Sequence, residues 1–140
     1  MPKITTHEFN RIVAEELPLA RGLGVRLETI ERGRSVIRIP FDDALLRPGG
    51  TVAGPVMMAA ADAAMYAAIM SELGTVKQAV TTNLNINFLR RPGPADIIAE
   101  GRVLKLGRRL AVLEVTIRSD GSDAPVAHAT GTYSIPPAAD

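Results

Sequence analysis

The chain contains no cysteine, which excludes disulfides, thiolate metal sites and cysteine nucleophiles. It also lacks an excess of either charge: 16 basic side chains stand against 15 acidic ones, a formal net charge of +1. That balance gives no reason to expect a nucleic acid or an acidic membrane as partner. The first residues, MPKITTHEF, have none of the apolar core of a secretory leader, so the expected compartment is the cytoplasm. No repeat, low-complexity tract or Pro/Gly-rich linker interrupts the sequence, and a single domain over residues 1–140 is expected from its length. The two histidines, His7 and His128, are far apart with no cysteine beside them, so no metal site is expected. A G-x-S-x-G elbow is missing, which disfavours the usual serine hydrolase. Gly22-Leu23-Gly24 lacks the third glycine of a dinucleotide fingerprint.

What is present is a substantial apolar content, 46% of the residues, enough for a real core. Thr5-x-x-Glu8 predicts a capping box, followed by Phe9, Ile12, Val13 and Leu17 at helical spacing. Pro18 is expected to end that helix. Two strands are predicted over Gly24–Thr29 and Ser35–Phe41, then a loop over Asp42–Ala53. Pro55 suits a first helical position, and the helix it opens should run to about Leu73. Beyond Gly74 the period becomes two: Leu84, Ile86 and Phe88 alternate with Asn83, Asn85 and Asn87, the mark of a half-buried strand. Ile97–Leu106 and Leu110–Arg118 should form a hairpin about Gly107-Arg108, and Val126–Ile135 a last strand. The expected class is α+β, with an antiparallel meander after the long helix.

That helix poses the main question. From Val52 to Met70 its only charged side chain is Asp62. The stretch is long enough to span a membrane, but Gly54 and Pro55 break its start, and a central aspartate costs roughly 2.5–3.5 kcal/mol to insert. A buried helix is the better reading. One sheet would cover one side of it and leave the other bare, so a second copy of the chain is the expected cover. Met57, Met58, Met65 and Met70 are expected in the core, or along a tunnel that their adaptable side chains could line.

Three roles are open to Asp62: a satisfied structural carboxylate, a hydrogen bond at the dimer interface, or a catalytic group, since desolvation raises a carboxyl pKa toward the range useful for base catalysis. No lysine or arginine lies three or four residues away to pair with it. The helix start near Gly54 offers backbone N–H groups and the positive end of the dipole, a natural place for a developing oxyanion. Gly54 and Asp62 are eight residues apart, about 12 Å along a helix axis, too far to serve one carbonyl in one chain. Across a two-fold axis, Asp62 of one chain can face Gly54 of the other.

Three stretches carry a resemblance that spans nearly the whole chain: RPGGTVAGPVMMAAADAAM, TTNLNINFLRRPGPAD, and GRVLKLGRRLAVLEVTIRSDG with VAHATGTYSI. Together they resemble the hotdog-fold acyl-CoA thioesterases of the PaaI-like group. The resemblance implies an antiparallel sheet of five to six strands wrapped around one long central helix, assembled as a homodimer or a dimer of dimers. The family's helix opens with His-Gly-Gly and carries its acid seven residues after the second glycine. On this chain the motif falls on Ala53, Gly54 and Pro55, and the acid on Asp62. An asparagine six residues before the histidine corresponds to Arg47, which could hold the carbonyl or pair with Asp42 or Asp43. The hydroxyl residue that positions water in the family corresponds to Thr81. The coenzyme A segment corresponds to Lys105, Gly107, Arg108 and Arg109, for which a solvated turn is the plain alternative.

The implied activity is hydrolysis of an acyl-CoA, with coenzyme A part of the substrate and no separate cofactor. Asp62 would act as base or nucleophile with Gly54 and Thr81. Hydration or dehydration of an acyl thioester is a second enzymatic reading, weakened because Ala53 replaces the nearest histidine. A non-catalytic acyl-CoA-binding or dimeric interaction protein is the third.

Overall fold

In the computed structural model, which describes residues 1–137, the helix that carries Asp62 runs over Gly54–Leu73 (α3). It is preceded by α1 (Thr6–Glu16), whose capping box forms as expected: Thr5 Oγ1 accepts the Glu8 N–H and Glu8 Oε1 accepts the Thr5 N–H, each at 3.1 Å. Phe9, Ile12 and Val13 are its buried face. Pro18 does more than end that helix. It starts a second one, α2 (Pro18–Leu23), whose first turn suits a fixed φ and a missing N–H. Gly24, at φ 76°, closes it in the left-handed conformation.

The strands are β1 (Arg26–Glu31), β2 (Arg34–Ile39), β3 (Leu46–Arg47), β4 (Thr51–Val52), β5 (Val80–Phe88), β6 (Ile97–Leu106), β7 (Leu110–Ser119) and β8 (Pro125–Ser134). The predicted loop therefore holds a 3-10 turn, Asp43–Leu45, and the small β3–β4 hairpin. Six strands form one antiparallel sheet in the order β1-β2-β6-β7-β8-β5. The simple meander expected after α3 is corrected here. β5 does not pair with β6, but crosses to the far edge beside β8.

The sheet wraps α3 closely because small residues let backbones approach. A Cβ added to Gly101 on β6 would stand 2.8 Å from the Ala64 carbonyl oxygen. That same oxygen accepts a 2.6 Å hydrogen bond from Ser35 Oγ on β2. Met65, Ile69 and Met70 are fully enclosed in one core with Leu113, Val115 and Ile117 of β7. α3 is long and apolar enough to cross a membrane, yet 67% of that stretch is buried inside the fold, as a core helix should be.

The helix is also less bare than expected. The chain covers its C-terminal half on every side, with Ala64 through Ser71 all buried. What remains open is a stripe on the N-terminal half: Pro55, Met58, Ala59, Asp62 and Ala63. Beside it lies β5, an edge strand with Val80 57% and Phe88 50% exposed.

Candidate active site

Thr81 reaches Asp62 through an irregularity in β5. Thr81 faces Tyr133 and Asn83 faces Thr132, so Thr82 is an extra residue in the ladder. Past this bulge Leu84 and Ile86 face Gly131 and Ala129 on the helix side. Strict alternation would have put Thr82 on that side; the bulge puts Thr81 there instead. Its Oγ1 donates to Asp62 Oδ1 at 2.5 Å.

A second hydroxyl meets the same oxygen. Tyr133 Oη lies 2.6 Å from Asp62 Oδ1 and 3.0 Å from the Asp62 carbonyl oxygen. Tyr133 is 2% exposed; burial, then the nearby Asp62 charge, pushes its hydroxyl well above the usual tyrosine range. It therefore keeps its proton and can donate. Its ring stacks on Tyr66 with centroids 6.3 Å apart, and Tyr66 meets Phe9 edge-on at 6.1 Å. The Tyr66 hydroxyl donates to the Lys77 carbonyl at 2.7 Å, and burial raises its pKa too.

Asp62 is not enclosed, as the sequence suggested, but half-buried. Among the described residues no cation pairs with it. It is stabilised by two hydroxyl donors on one side and by access to a cavity on the other. That cavity, about 520 Å³, lies between α1, α2, α3 and the start of β5. Its walls are mainly apolar, including Phe9, Val13, Leu17, Leu23, Ala63 and Val80, with Asp62, Thr81 and Tyr133 grouped together. None of the α3 methionines lines it; Met57, Met65 and Met70 are core, and Met58 is 40% exposed on the open stripe.

A family profile described as "Thioesterase superfamily" matches residues 49–126, more than half of the chain. The chain belongs to the thioesterase superfamily. Within the superfamily it is 32% identical to a candidate esterase of Saccharolobus solfataricus, over 96% of this chain and 87% of that protein. A crystal structure of a candidate thioesterase from Silicibacter sp. TM1040 superposes with a TM-score of 0.86 at 38% identity, covering 98% of this chain and 95% of the other. A mutant of the phenylacetic acid degradation protein PaaI from Thermus thermophilus superposes with a TM-score of 0.74 at 28% identity, covering 85% and 99%. The six-stranded sheet around one helix is the hotdog fold of these thioesterases.

Against this superfamily fold, the predicted site residues fall in four places. Asp62 and Thr81 are joined directly. Gly54 begins α3 two turns away and does not line the cavity. Ala53 caps that helix without a side-chain hydrogen bond, which leaves the first N–H groups uncapped by any side chain. A Cβ at Gly54 would come 3.3 Å from Phe88 Cζ, so the Phe88 ring packs where a side chain would be. Arg47 is exposed on β3 opposite Thr51 and lines no part of the cavity. Neither Asp42 nor Asp43 pairs with it; Asp42 instead caps the 3-10 turn through the Ala44 N–H.

Lys105, Gly107, Arg108 and Arg109 form the exposed β6–β7 hairpin tip, also outside the cavity. The register places this tip at the same end of the sheet as Thr81 and Tyr133. Leu106, Ala111, Tyr133 and Thr81 stand in one cross-strand row. Thr81 and Ala111 are thus about 10 Å apart by strand spacing, and the Arg109 carbonyl accepts the Ile135 N–H at 2.8 Å. Tyr133 is the member of this cluster that sequence reading missed. Its signal was faint: a lone tyrosine in a strand, whose polar tip must find a partner when buried.

Proposed function

We propose that the protein hydrolyses the thioester of an acyl- or aryl-CoA to the free acid and coenzyme A. The observation that carries this reading is the Asp62 carboxylate, held by hydroxyl hydrogen bonds at the wall of a 520 Å³ apolar cavity. An apolar pocket with a few convergent polar groups suits an acyl group with one reacting carbonyl, and membership of the thioesterase superfamily supplies the reaction class.

The acyl chain enters the cavity and its carbonyl oxygen meets the Gly54 N–H at the positive end of α3. Because Gly54 and Asp62 stand two turns apart on one helix, that N–H comes from a second copy of the chain. The open stripe around Met58, Ala59 and Ala63, continuous with the exposed edge β5, is where the copies pack. Asp62 either draws a proton from a water as that water attacks the carbonyl, or attacks directly to give an anhydride that a water then cleaves to the free acid, restoring the carboxylate. In both routes the C–S bond breaks and the coenzyme A thiolate takes up a proton. Lys105, Arg108 and Arg109 offer cations to its phosphates, and Arg47 offers a charged donor at the helix entrance.

One feature supports a second reading. Ala53 and Pro55 stand where the family's histidine and second glycine are expected, which favours a protein that binds acyl-CoA without cleaving it. Thiol release from short, medium, long and aryl acyl-CoAs separates the two. Hydrolysis of at least one, lost in Asp62→Asn with the fold intact, is expected. Binding by calorimetry with no thiol release across the panel would establish the second reading instead.

A further inference from the structure

The two oxygens of the Asp62 carboxylate are not equivalent. Oδ1 accepts from Thr81 Oγ1 at 2.5 Å and from Tyr133 Oη at 2.6 Å, while among the described residues nothing donates to Oδ2. Both distances fall in the range of about 2.5–2.7 Å that marks hydroxyl donation to a charged carboxylate. A tyrosine hydroxyl has one proton, so the shorter contact to the charged oxygen takes it, ahead of the 3.0 Å contact to the Asp62 carbonyl. The carboxylate is therefore pinned through one oxygen only, and Asp62 lines the cavity together with both tethers.

We infer that Tyr133 is a positioning residue, whose hydroxyl joins that of Thr81 on Oδ1 and so leaves Oδ2 as the reacting oxygen. This rests on the hydrolase reading above and deepens it. Tyr133 suits that role because its ring cannot swing: it is enclosed, stacked on Tyr66, and Tyr66 is itself tied to the Lys77 carbonyl. Burial holds its pKa above the usual tyrosine range, so it keeps its proton and remains a donor. Thr81 takes a corrected part as well. Its proton is committed to Oδ1, so it can meet a water only as an acceptor. A water that donates one hydrogen to Oδ2 and the other to Thr81 Oγ1 would be oriented at both ends, its lone pair aimed at the thioester carbon. On attack, the proton donated toward Oδ2 passes to it as the new C–O bond forms and the carbonyl π pair moves onto its oxygen. When the pair returns, the C–S bond breaks and the leaving thiolate takes the proton from Oδ2.

The test is Tyr133→Phe, which keeps the ring stack and removes only the donor. The expected result is a fall in kcat of about tenfold to a hundredfold, with KM within about twofold and the variant still folded. An unchanged kcat in an active, folded variant would overturn the proposal, because a purely structural tyrosine would move the melting temperature and not kcat. A measurement independent of turnover separates this from failure of the hydrolase reading. Proton NMR of the unliganded protein should show a slowly exchanging, downfield hydroxyl resonance, missing in Tyr133→Phe and moved upfield in Asp62→Asn. If wild type cleaves no acyl-CoA yet shows that resonance, the hydrolase reading falls and the tether stands as geometry. If the resonance is absent, or unaffected by Asp62→Asn, the tether itself is refuted.

Discussion

Thr81 Oγ1 stands 2.5 Å from Asp62 Oδ1, although 19 residues and a change of secondary structure separate them. The contact exists because Thr82 is extra in the β5–β8 ladder and lets Thr81, not Thr82, face the helix. Thr82 serves the sheet instead, its hydroxyl bonding the Thr132 carbonyl at 3.1 Å.

The first prediction follows from that division of labour. Thr81→Val should lower kcat by about tenfold or more, through loss of a group that orders the reacting atoms, while Thr81→Ser stays within a few-fold of wild type. Thr82→Val should leave kcat alone and cost at most about 1 kcal/mol of stability, the net worth of one hydrogen bond. Steady-state thiol release and thermal melts read both. Equal rates for Thr81→Val and wild type would remove Thr81 from the site.

A second prediction concerns the helix–sheet contact that carries Asp62. Gly101 has no room for a Cβ, which would lie 2.8 Å from Ala64 O and 2.9 Å from Ser35 Oγ. Gly101→Ala should destabilise by about 1–3 kcal/mol, the usual cost of overpacking a well-filled core. Gly93, with nothing within 4 Å of its added Cβ, provides the control: Gly93→Ala should melt with wild type. A Gly101→Ala protein of wild-type stability would show that α3 can lift from β6 freely.

The third is a pH dependence of stability. Asp96 accepts the Phe41 N–H at 2.7 Å and pairs with Arg38 at 2.9 Å, and these hold its carboxyl below the ordinary 3.8. Glu114 is likewise held below 4.5, by Arg102 and then His128. A carboxyl with a lowered folded-state pKa stabilises above its unfolded value, and that contribution is lost as pH falls through the folded value. Stability should therefore be flat near neutrality and decline from about pH 4 downward. Asp96→Asn should be less stable than wild type at pH 7, with the gap closing in acid. Denaturant midpoints against pH measure this; a gap constant down to pH 2 would contradict it.

Much of the frame was readable from residue pattern, for reasons that can be traced. The Thr5–Glu8 box and the period-two run after Gly74 are local signals, and local structure obeys them. The Ile97–Leu106 strand appears with the predicted ends. Asp62 stood out because a charge in an apolar helix requires an explanation. Pairings between distant segments were not readable. β5 lies beside β8 rather than β6, and nothing in the alternation of either strand encodes its neighbour. A bulge leaves no mark on a hydrophobic period: strict alternation alone would put Thr82 on the helix side, and only the family resemblance pointed to Thr81. Tyr133 meets Asp62 from 71 residues away, beyond the reach of any spacing rule. Pro18 by itself signals only a helix stop, because its role as a helix start depends on the turn before it.

The claim on which the rest depends is that Asp62 of one chain works on a carbonyl held by Gly54 of another. Mixing subunits tests it most directly. Asp62→Asn and Gly54→Pro are each expected to be folded, dimeric and inactive. Mixed in equal amounts with exchange complete, half of the dimers would be hybrids with one intact site each, and thiol release should recover to about a quarter of the wild-type rate, as two-fold symmetry dictates. No recovery, with both folds sound and exchange verified, would contradict the shared site.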